Sequence, residues 1–546
     1  MAGVEGDLRT NAEQYLTDQP PCDASAADVR AYADTLPERV RSALQAFGYY
    51  RGVATATVEQ AERADCWRIT LHIDPGAPVT IEQVVLELRG EARDDARFRS
   101  LFDMFPLVRD GVLRHRDYLA FKSRVESLAS ERGYREGHFT RERIDVYVDR
   151  SRATIELAYD SGPRYRFGDV TFSSEPLAPR VLHSFVGFET NDPYDATLVV
   201  ELQRDLLASE YFADVRVTPD LDEARDGRIP VRVALEAANP VSYSVGFGFS
   251  TDDGPRLRFL YENSRRNRAG HRLTGDVLVS QVRRYATAEY RIPRGNPQRD
   301  WLSPRAALAR EDVDAGIGAA ARLGVQRTSV RDALTVMRYV DLLFENDEIA
   351  GEDLYSRLVV PGISLTRTRR DDLARPRHGH RLSLALSAGL GEGTPFVDLD
   401  AGGKWIRALP WNARLLLRGR VGALLDRGRL DRVPLSMRFF AGGDNSIRGF
   451  DYESLGPRNE AGELIGGNRL LEASVEYEQS LRPTWALAVF VDAGNAFLDG
   501  DLTVERSVGI GGRWFSPIGP VRVDVAWPIS AADHSPRLHI SLGPDL

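Results

Sequence analysis

The sequence predicts three small α+β repeats followed by an all-β barrel of about 16 antiparallel strands of the membrane-spanning type. Three observations predict this fold. Two sequence markers recur at intervals of about 80 residues within the first 240 residues. The apolar period then changes from that of a helix to that of a strand. From there to the C-terminus, apolar and polar residues alternate in short segments separated by polar turns.

The composition excludes two classes of protein. The 546 residues carry a net charge of −9 and no dominant basic cluster, which argues against binding to nucleic acid. No stretch approaches the roughly 18 apolar residues of a membrane-spanning helix. Membrane-spanning strands are compatible with the mean hydropathy of −0.32, because their polar and apolar faces average out.

The repeats rest on two independent markers. AFGYY at residues 46–50 returns as RGYR at 132–135 and, more weakly, as EYF at 210–212. DPGAPV at residues 74–79 returns as DSGPRY at 160–165. In each unit a helix with one apolar stripe precedes period-2 strands, which predicts a small α+β module with an open sheet edge. Gly48 and Gly133 follow two of these helices and are expected to cap them.

These markers set the expected domain boundaries. The modules should occupy residues 1–77, 78–163 and 164–239, and the barrel residues 240–546. No opening strand is recognisable in the first module. Residues 1–5 contain no apolar signal-peptide core, so export would imply that a signal had been removed or the start misassigned.

The barrel is predicted from strands with one apolar face. Residues 241–250 read VSYSVGFGFS, with aromatic and aliphatic residues on one face and only Ser and Gly on the other. The 306 residues from 241 to 546 accommodate about 16 strands at about 19 residues for each strand and its turn. A soluble sandwich would show the same alternation, but would be unusually large, and a closed barrel removes the sheet edges that lipid does not tolerate. Similar alternation recurs at 381–390, 415–425, 471–477, 485–492, 508–514 and 521–527.

Chemically reactive residues form no recognisable catalytic constellation. Cys22 and Cys66 would form a disulfide in an oxidising compartment and remain separate thiols in the cytosol. Neither cysteine has the spacing of a metal ligand. The HGH sequence at residues 378–380 is expected to be a turn between strands, because no third ligand is placed beside it. We therefore expect no enzyme activity, no cofactor and no metal.

Three motifs near the C-terminus resemble, in order, those of the BamA-like outer-membrane assembly superfamily. FFAGGDNSIRGF at residues 439–450 resembles the extracellular loop that folds into the barrel in that family. FVDAGN at 490–495 and GIGGRWFSPIGP at 509–520 resemble two of its late-strand motifs. DSGPRYRFG at 160–168 resembles the junction between its periplasmic POTRA modules. Three modules, and a chain ending in ISLGPDL at 540–546, are typical of the TamA subfamily.

The resemblance implies a bacterial outer-membrane protein with its modules in the periplasm. It implies an inner-membrane-anchored, TamB-like partner, contact with outer-membrane lipid, and unfolded outer-membrane proteins such as autotransporters as clients. The alternatives are a channel of the two-partner secretion type and a general barrel insertase of the BamA type. A periplasmic location would favour a disulfide between Cys22 and Cys66.

The main candidate site is the loop core Ile447-Arg448-Gly449-Phe450. By resemblance, Arg448 points into the barrel and is paired, whereas the ordinary alternative is a solvated loop arginine. Asp492 and Glu476 are the candidate acceptors, because strand alternation directs both toward the lumen.

The resemblance also predicts a lateral seam, where the first strand (241–250) closes against the last (538–546) through few hydrogen bonds. Gly543 and Pro544 support this prediction, because Pro lacks an N–H and Gly weakens a strand interior. On the first strand, the candidate seam residues are Val241, Tyr243, Val245 and Phe247.

Overall fold

The change of apolar period near residue 240 coincides with a change from helices and short sheets to long antiparallel strands. The computed structural model describes residues 1–60, 66–373, 375–391, 395–516, 519–532 and 534–542. One unit comprises Met1–Ser173, Gly187–Gln203 and Arg216–Ala234, and the other comprises Ser174–Val186, Arg204–Val215 and Leu235–Leu546. Within the described residues, no helix has the length and apolar character needed to cross a membrane.

Helices and short strands alternate in the N-terminal part. The helices are α1 (Gly6–Gln14), α2 (Ala26–Gln45), α3 (Ala96–Asp103), α4 (His115–Arg132), α5 (Pro179–His183) and α6 (Ala196–Ala208). The strands are β1 (Val53–Gln60), β2 (Trp67–Asp74), β3 (Thr80–Arg89), β4 (His138–Tyr147), β5 (Arg152–Asp160), β6 (Arg166–Phe172), β7 (Phe212–Pro219) and β8 (Arg228–Ala237).

The first module consists of α1, α2 and the antiparallel pair β1–β2. The apolar stripe of α2 packs with β2 to form its core, which includes Leu36, Leu44 and Leu71. A single parallel bridge at Ala2, beside His72, takes the place of an opening strand. The helix ends at Gln45, and Gly48, whose φ is 88°, caps it as predicted. The Gly48 N–H donates to the Gln45 carbonyl oxygen at 2.9 Å, and the Tyr49 N–H donates to that of Leu44 at 3.0 Å.

The second and third modules share one topology. Strands β3, β5 and β4 form a sheet in that order, with β3 parallel to β5, and β6, β8 and β7 repeat the arrangement. Helix α4 ends at Gly133, whose φ of 83° is the left-handed conformation that glycine adopts without strain. The core of the second module joins both helices to the sheet through Phe98, Phe121, Ile155 and Leu157.

Arg132, at the end of α4, connects the second and third modules. Its Nε donates to Asp95 at 2.9 Å and its Nη1 donates to Asp195 at 2.7 Å. Arg164 donates to the carbonyl oxygens of Arg132 and Tyr194, both at 2.8 Å. Burial opposes ionisation of the two carboxyls, but hydrogen bonds, those from Arg132 among them, hold the pKa of Asp95 and of Asp195 below its ordinary value.

The C-terminal part is a nearly closed barrel of 16 antiparallel strands, which confirms the predicted fold class and strand number. Sheet order follows chain order, so β9 and β24 lie at the two ends of the sheet. The strands are β9 (Val241–Ser250), β10 (Gly254–Asn263), β11 (Arg272–Val279), β12 (Arg283–Pro293), β13 (Asp300–Val313), β14 (Gly316–Arg331), β15 (Leu334–Ile349), β16 (Glu352–Arg370), β17 (His378–Gly391), β18 (Phe396–Leu409), β19 (Ala413–Leu425), β20 (Arg469–Arg482), β21 (Trp485–Phe497), β22 (Glu505–Ser516), β23 (Gly519–Pro528) and β24 (Arg537–Leu542). His378 and His380, expected in a turn, are instead the first and third residues of β17.

The two faces of the barrel wall reverse the polarity of a soluble sandwich. On β20, Glu472 and Glu476 are buried, whereas Leu471 and Val475, which directly precede them, are exposed. On β21, Asp492 is buried, whereas Val491, directly before it, is 50% exposed. Apolar side chains outside and charged ones inside are the arrangement of a strand facing lipid on one side and a polar lumen on the other.

The segment from 426 to 468, between β19 and β20, folds into the barrel; we call it the inner loop. Its Phe439, Ile447 and Phe450 are buried in a cluster with Phe396 of β18 and Leu470 of β20. The loop therefore has an apolar core of its own against the wall, and its charged side chains are buried beside that core.

Cys22 and Cys66 are joined in a disulfide that closes a segment with a sequence separation of 44. In the chain-entropy description, a loop of this length stabilises the folded state by up to about 4 kcal/mol, because it restricts the unfolded chain.

Replacing Cys22 and Cys66 with Ser should therefore destabilise the first module while leaving the barrel unchanged. We expect faster amide hydrogen exchange over residues 1–75 of the full-length variant, measured by mass spectrometry, and unchanged exchange in β20 and β21. Equal protection of residues 1–75 in the variant and the wild type would contradict this prediction.

Candidate functional site

Arg448 of the inner loop lies among three carboxylates of the barrel wall. Its Nε is 2.8 Å from Oδ2 of Asp492 and its Nη2 is 2.9 Å from Oδ1, which makes the pair bidentate. Its Nη1 donates to Glu476 at 2.7 Å and to Asp524 at 3.2 Å. The structure thus brings Arg448 together with both acceptors proposed from the sequence and adds a third, Asp524.

Arg513 of β22 shares two of these acceptors. Its Nη2 is 2.7 Å from Glu476 Oε1, and its Nη1 contacts Asp524. Its side chain is only 2% exposed, so this second guanidinium depends on the same carboxylates. We call Arg448, Arg513, Asp492, Glu476 and Asp524 the arginine cluster.

The cluster is stable in the barrel interior because its charges are closely balanced. An isolated charge removed from water costs several kcal/mol. Arg418 lies 3.9 Å from Asp492, so three guanidiniums face three carboxylates. Ser474 donates to Asp492 at 2.6 Å, and the Arg448 Cζ lies 3.3 Å from the ring centroid of Phe490, a cation–π contact.

Gly449 lets the loop backbone approach the wall closely. A Cβ at this position would lie 2.5 Å from Ser507 Cβ and 3.1 Å from Pro528 Cα. A larger residue would therefore push the loop away from β22 and β23 and move Arg448 out of reach of its acceptors. Ile447 and Phe450, on either side, are 0% and 8% exposed and anchor the same turn.

The beginning of the inner loop is held by two carboxylates of β15. The backbone N–H of Leu435 donates to Asp347 at 2.9 Å. Ser436 donates to Glu345 through its N–H at 2.9 Å and its hydroxyl at 2.6 Å. Loop and wall are therefore tied at two places well separated along the chain, here and at Arg448.

A third tie lies where the ends of the sheet meet. Asp444 of the inner loop accepts a hydrogen bond from Thr251, just after β9, at 2.9 Å, and contacts His539 Nδ1 of β24 at 2.5 Å. The backbone N–H of Asp444 donates to Asp252 at 2.9 Å, and that of Ile540 donates to Thr251 Oγ1 at 3.3 Å. We call Thr251, Asp252, Asp444 and His539 the seam cluster.

The seam cluster is a set of hydrogen-bonded side chains and does not have the spacing of metal ligands. Among the residues that the structure describes, Asp252, Asp444 and His539 are the one such group with ligand atoms within 4.8 Å of one another. However, His539 Nδ1 and Asp444 Oδ1 are 2.5 Å apart, closer than the roughly 3.3 Å between two ligands of one tetrahedral zinc ion. The other ring nitrogen of His539 faces the carbonyl oxygen of Arg448.

The predicted seam residues of the first strand are placed at the end of the sheet. Tyr243, Val245 and Phe247 are 66%, 59% and 85% exposed, and Val241 begins β9. No backbone ladder joins β9 to the described part of β24. Gly543 and Pro544 lie outside the described residues.

Sequence reasoning missed Arg513, Asp524 and the seam cluster. Arg513 lies within the 509–520 motif and Asp524 alternates with valines on β23, so face alternation could have nominated both. His539 and Asp444 carried no comparable signal, because their contact depends on how the inner loop folds.

Two parts of the chain match known family models. Residues 307–545 match the Omp85 superfamily domain, and residues 1–75 match the POTRA domain described as TamA domain 1. The crystal structure of BamA from Haemophilus ducreyi lacking POTRA domains 1–3 is similar in fold, with a TM-score of 0.66 at 16% identity, and the match covers 84% of this chain and 99% of that one.

Two curated relatives carry the name outer membrane protein assembly factor BamA. That of Nitratidesulfovibrio vulgaris is 36% identical over 138 residues, 23% of this chain and 17% of the relative. That of Neorickettsia risticii is 25% identical over 426 residues, 71% of this chain and 56% of the relative. The chain therefore matches less than two thirds of the length of each of these relatives.

Arg448→Ala should destabilise the inner loop by about 3–5 kcal/mol, because it leaves buried carboxylates without their partner. Limited proteolysis should then cut the loop sooner, and thermal unfolding in detergent should begin at a lower temperature. Arg448→Lys should recover only part of the loss, since an ammonium cannot reproduce the bidentate contact.

Arg420→Ala is the matched control, because Arg420 also lines the lumen but is 47% exposed and pairs with Asp400. It should behave like the wild type. Exchanging Arg448 and Asp492 should not restore stability, because an Asp at 448 would still face Glu476 and Asp524. Wild-type protease resistance in Arg448→Ala would show that the arginine does not anchor the loop.

Proposed function

Because the chain carries an Omp85 superfamily domain and a TamA-type POTRA domain, we propose that it is an outer-membrane assembly or translocation factor. It inserts or exports client proteins through the seam between β9 and β24, with its modules in the periplasm, and performs no chemistry of its own. The observation that carries this proposal is that no backbone ladder joins β9 to residues 537–542 of β24, the part of that strand that the structure describes, while neighbouring strands elsewhere in the sheet are paired.

An unpaired strand edge in a membrane has a physical consequence. Each N–H or C=O left without a partner in hydrocarbon costs several kcal/mol. The edges of β9 and of the described part of β24 therefore favour any incoming strand that supplies those partners, which is how a sheet edge recognises an extended peptide. An unfolded outer-membrane protein presents such strands, with apolar residues alternating to face lipid. A soluble small molecule would gain nothing from this edge.

The finer proposal is that the protein is TamA-like and works with an inner-membrane-anchored, TamB-like partner. The TamA-type match over residues 1–75 and the three modules support it. In the first module β1 pairs only with β2, so its other edge is open within the described residues, and Val53 at its start is 60% exposed. A strand of a β-rich partner could extend this sheet.

The seam can be tested by locking it. Thr251 and Ile540 are in contact across the junction, so Thr251→Cys with Ile540→Cys should form a disulfide under oxidation. The oxidised variant in liposomes should lose at least about 90% of its ability to insert an autotransporter-type client, and reduction should restore it. Insertion is measured as the fraction of client that becomes protease-protected.

A cysteine pair within the ladder is the control for this experiment. Ile510 of β22 and Val525 of β23 lie opposite each other on the lipid-facing side, and their strands are already hydrogen-bonded. Oxidation of Ile510→Cys with Val525→Cys should leave insertion unchanged. Full activity of the barrel locked at Thr251 and Ile540 would exclude a lateral gate.

Deleting residues 1–77 should abolish capture of a TamB-like partner, because it removes the open edge of β1. Co-purification of the partner's C-terminal region with the full chain and with the truncated chain measures this. The truncated barrel should keep the heat-modifiable gel migration of a folded barrel. Undiminished capture would place the partner on another module.

A further inference from the structure

His539 of β24 contacts two hydrogen-bond acceptors at once. Its Nδ1 lies 2.5 Å from a carboxylate oxygen of Asp444, and its Nε2 contacts the carbonyl oxygen of Arg448. Neither oxygen can donate a hydrogen bond when Asp444 is ionised. A neutral imidazole carries only one N–H. Its other nitrogen, an acceptor, would then face an oxygen that is also an acceptor. The arrangement is satisfied only when both nitrogens are protonated.

Both oxygens belong to the inner loop, and the loop reaches from the last strand to the first. Asp444 accepts from Thr251 at 2.9 Å and donates its N–H to Asp252 at 2.9 Å, both just after β9. His539 is 6% exposed, so solvent does not replace these contacts. The side chains of the seam cluster thus join two sheet ends that no backbone ladder joins within the described residues.

We propose that doubly protonated His539 is the latch of the seam: it holds the inner loop, and through it the end of β9, against β24, and the seam loosens when the imidazole loses a proton. This rests on the proposed function, in which opening of the seam admits a client. His539 is a positioning residue, since it acts through Asp444 and the backbone of Arg448.

The charged groups that face His539 lie on the inner loop, at the end of β9 and on β23. Asp444 and the backbone of Arg448 face it from the inner loop, Asp252 from the end of β9, and Asp524 is its cross-strand neighbour on β23. Asp524 is already paired with the Arg448 and Arg513 guanidiniums. On β24 itself, Arg537 is directed to Asp451 of the inner loop.

Asp252 is the second titrating group of the seam cluster. Burial and the neighbouring Asp444 carboxylate raise the pKa of Asp252 to about 7. Raising the pH therefore removes a positive charge from His539 and adds a negative charge at Asp252. Loss of the proton from His539 removes the attraction that holds Asp444. The charge at Asp252 repels the Asp444 carboxylate, but it also accepts the Asp444 N–H and favours the protonated imidazole, so His539 determines the direction of the response.

The test measures the width of the seam as the pH changes. Spin labels are attached to Tyr243→Cys on β9 and Val523→Cys on β23, which face outward, and the native cysteines are joined in a disulfide and do not react. Pulsed electron resonance should give one short distance at pH 6 and a second, longer component at pH 9. Loss of a charge-assisted hydrogen bond should raise the ratio of long to short distances roughly tenfold.

Four variants make the result specific. His539→Gln should show the longer component at both pH values, and His539→Asn provides the same test if the first variant folds poorly. His534→Gln is the matched control, because its ring contacts the Pro528 carbonyl oxygen and lies outside the seam cluster; it should respond like the wild type. Asp252→Asn should reduce the response without abolishing it.

Several outcomes would overturn the proposal. These are a wild-type distance that does not change with pH, a pH response that survives in His539→Gln, or a response abolished by Asp252→Asn. Opening of the seam by a chelator at constant pH would show that a metal holds it instead. Failure of the proposed function would look different: the seam would open with pH, yet the barrel locked at Thr251 and Ile540 would still insert its client.

Discussion

The pairing of backbone N–H and C=O groups inside the membrane is the constraint on which the rest of this barrel depends. Lipid supplies no hydrogen bonds, so each strand must be satisfied by its neighbours. The sequential ladder from β9 to β24 achieves this along the sheet, and the two ends of the sheet share no ladder among the residues that the structure describes. There the ends are joined by side chains, and the inner loop supplies them through Asp444.

Buried charge has a particular use in such a wall. The pairing of Arg448 with Asp492, Glu476 and Asp524 need not add net stability, because desolvation offsets much of the attraction. It does fix one position of the loop, since a bidentate guanidinium tolerates little displacement. An apolar loop could slide along the lumen, whereas a shift of Arg448 by one residue would leave charges unpaired. The arginine cluster thus defines where the loop sits, and the position of Asp444 near the seam follows.

Strand alternation predicted the barrel and its strand number only together with the length of the region, because a sandwich shows the same period of 2. Alternation also placed Asp492 and Glu476 on the lumen face, whereas the inward, paired Arg448 came from the family resemblance. Alternation does not state how far along neighbouring strands two residues lie. Alternation could therefore nominate Asp524 and Arg513 as lumen residues, but it could not show that they share the acceptors of Arg448. The contact between Asp444 and His539 joins residues 95 positions apart in the sequence. It depends on how an irregular loop folds, and an irregular loop has no repeating apolar pattern from which its fold could be predicted.

The first strand explains why the seam needs a tie at its end. Its lumen face consists of Ser242, Ser244, Gly246 and Gly248, side chains too short to reach the charged network of the lumen. Its other face is apolar and suited to lipid. Along its length β9 is therefore held only by its ladder with β10, and the glycines weaken a strand further. Among the described residues, the strand is hydrogen-bonded along one side and is anchored to the inner loop through Thr251 and Asp252, beyond its last residue. When that anchor is released, the whole edge of β9 can separate from β24. Another strand can then pair beside it.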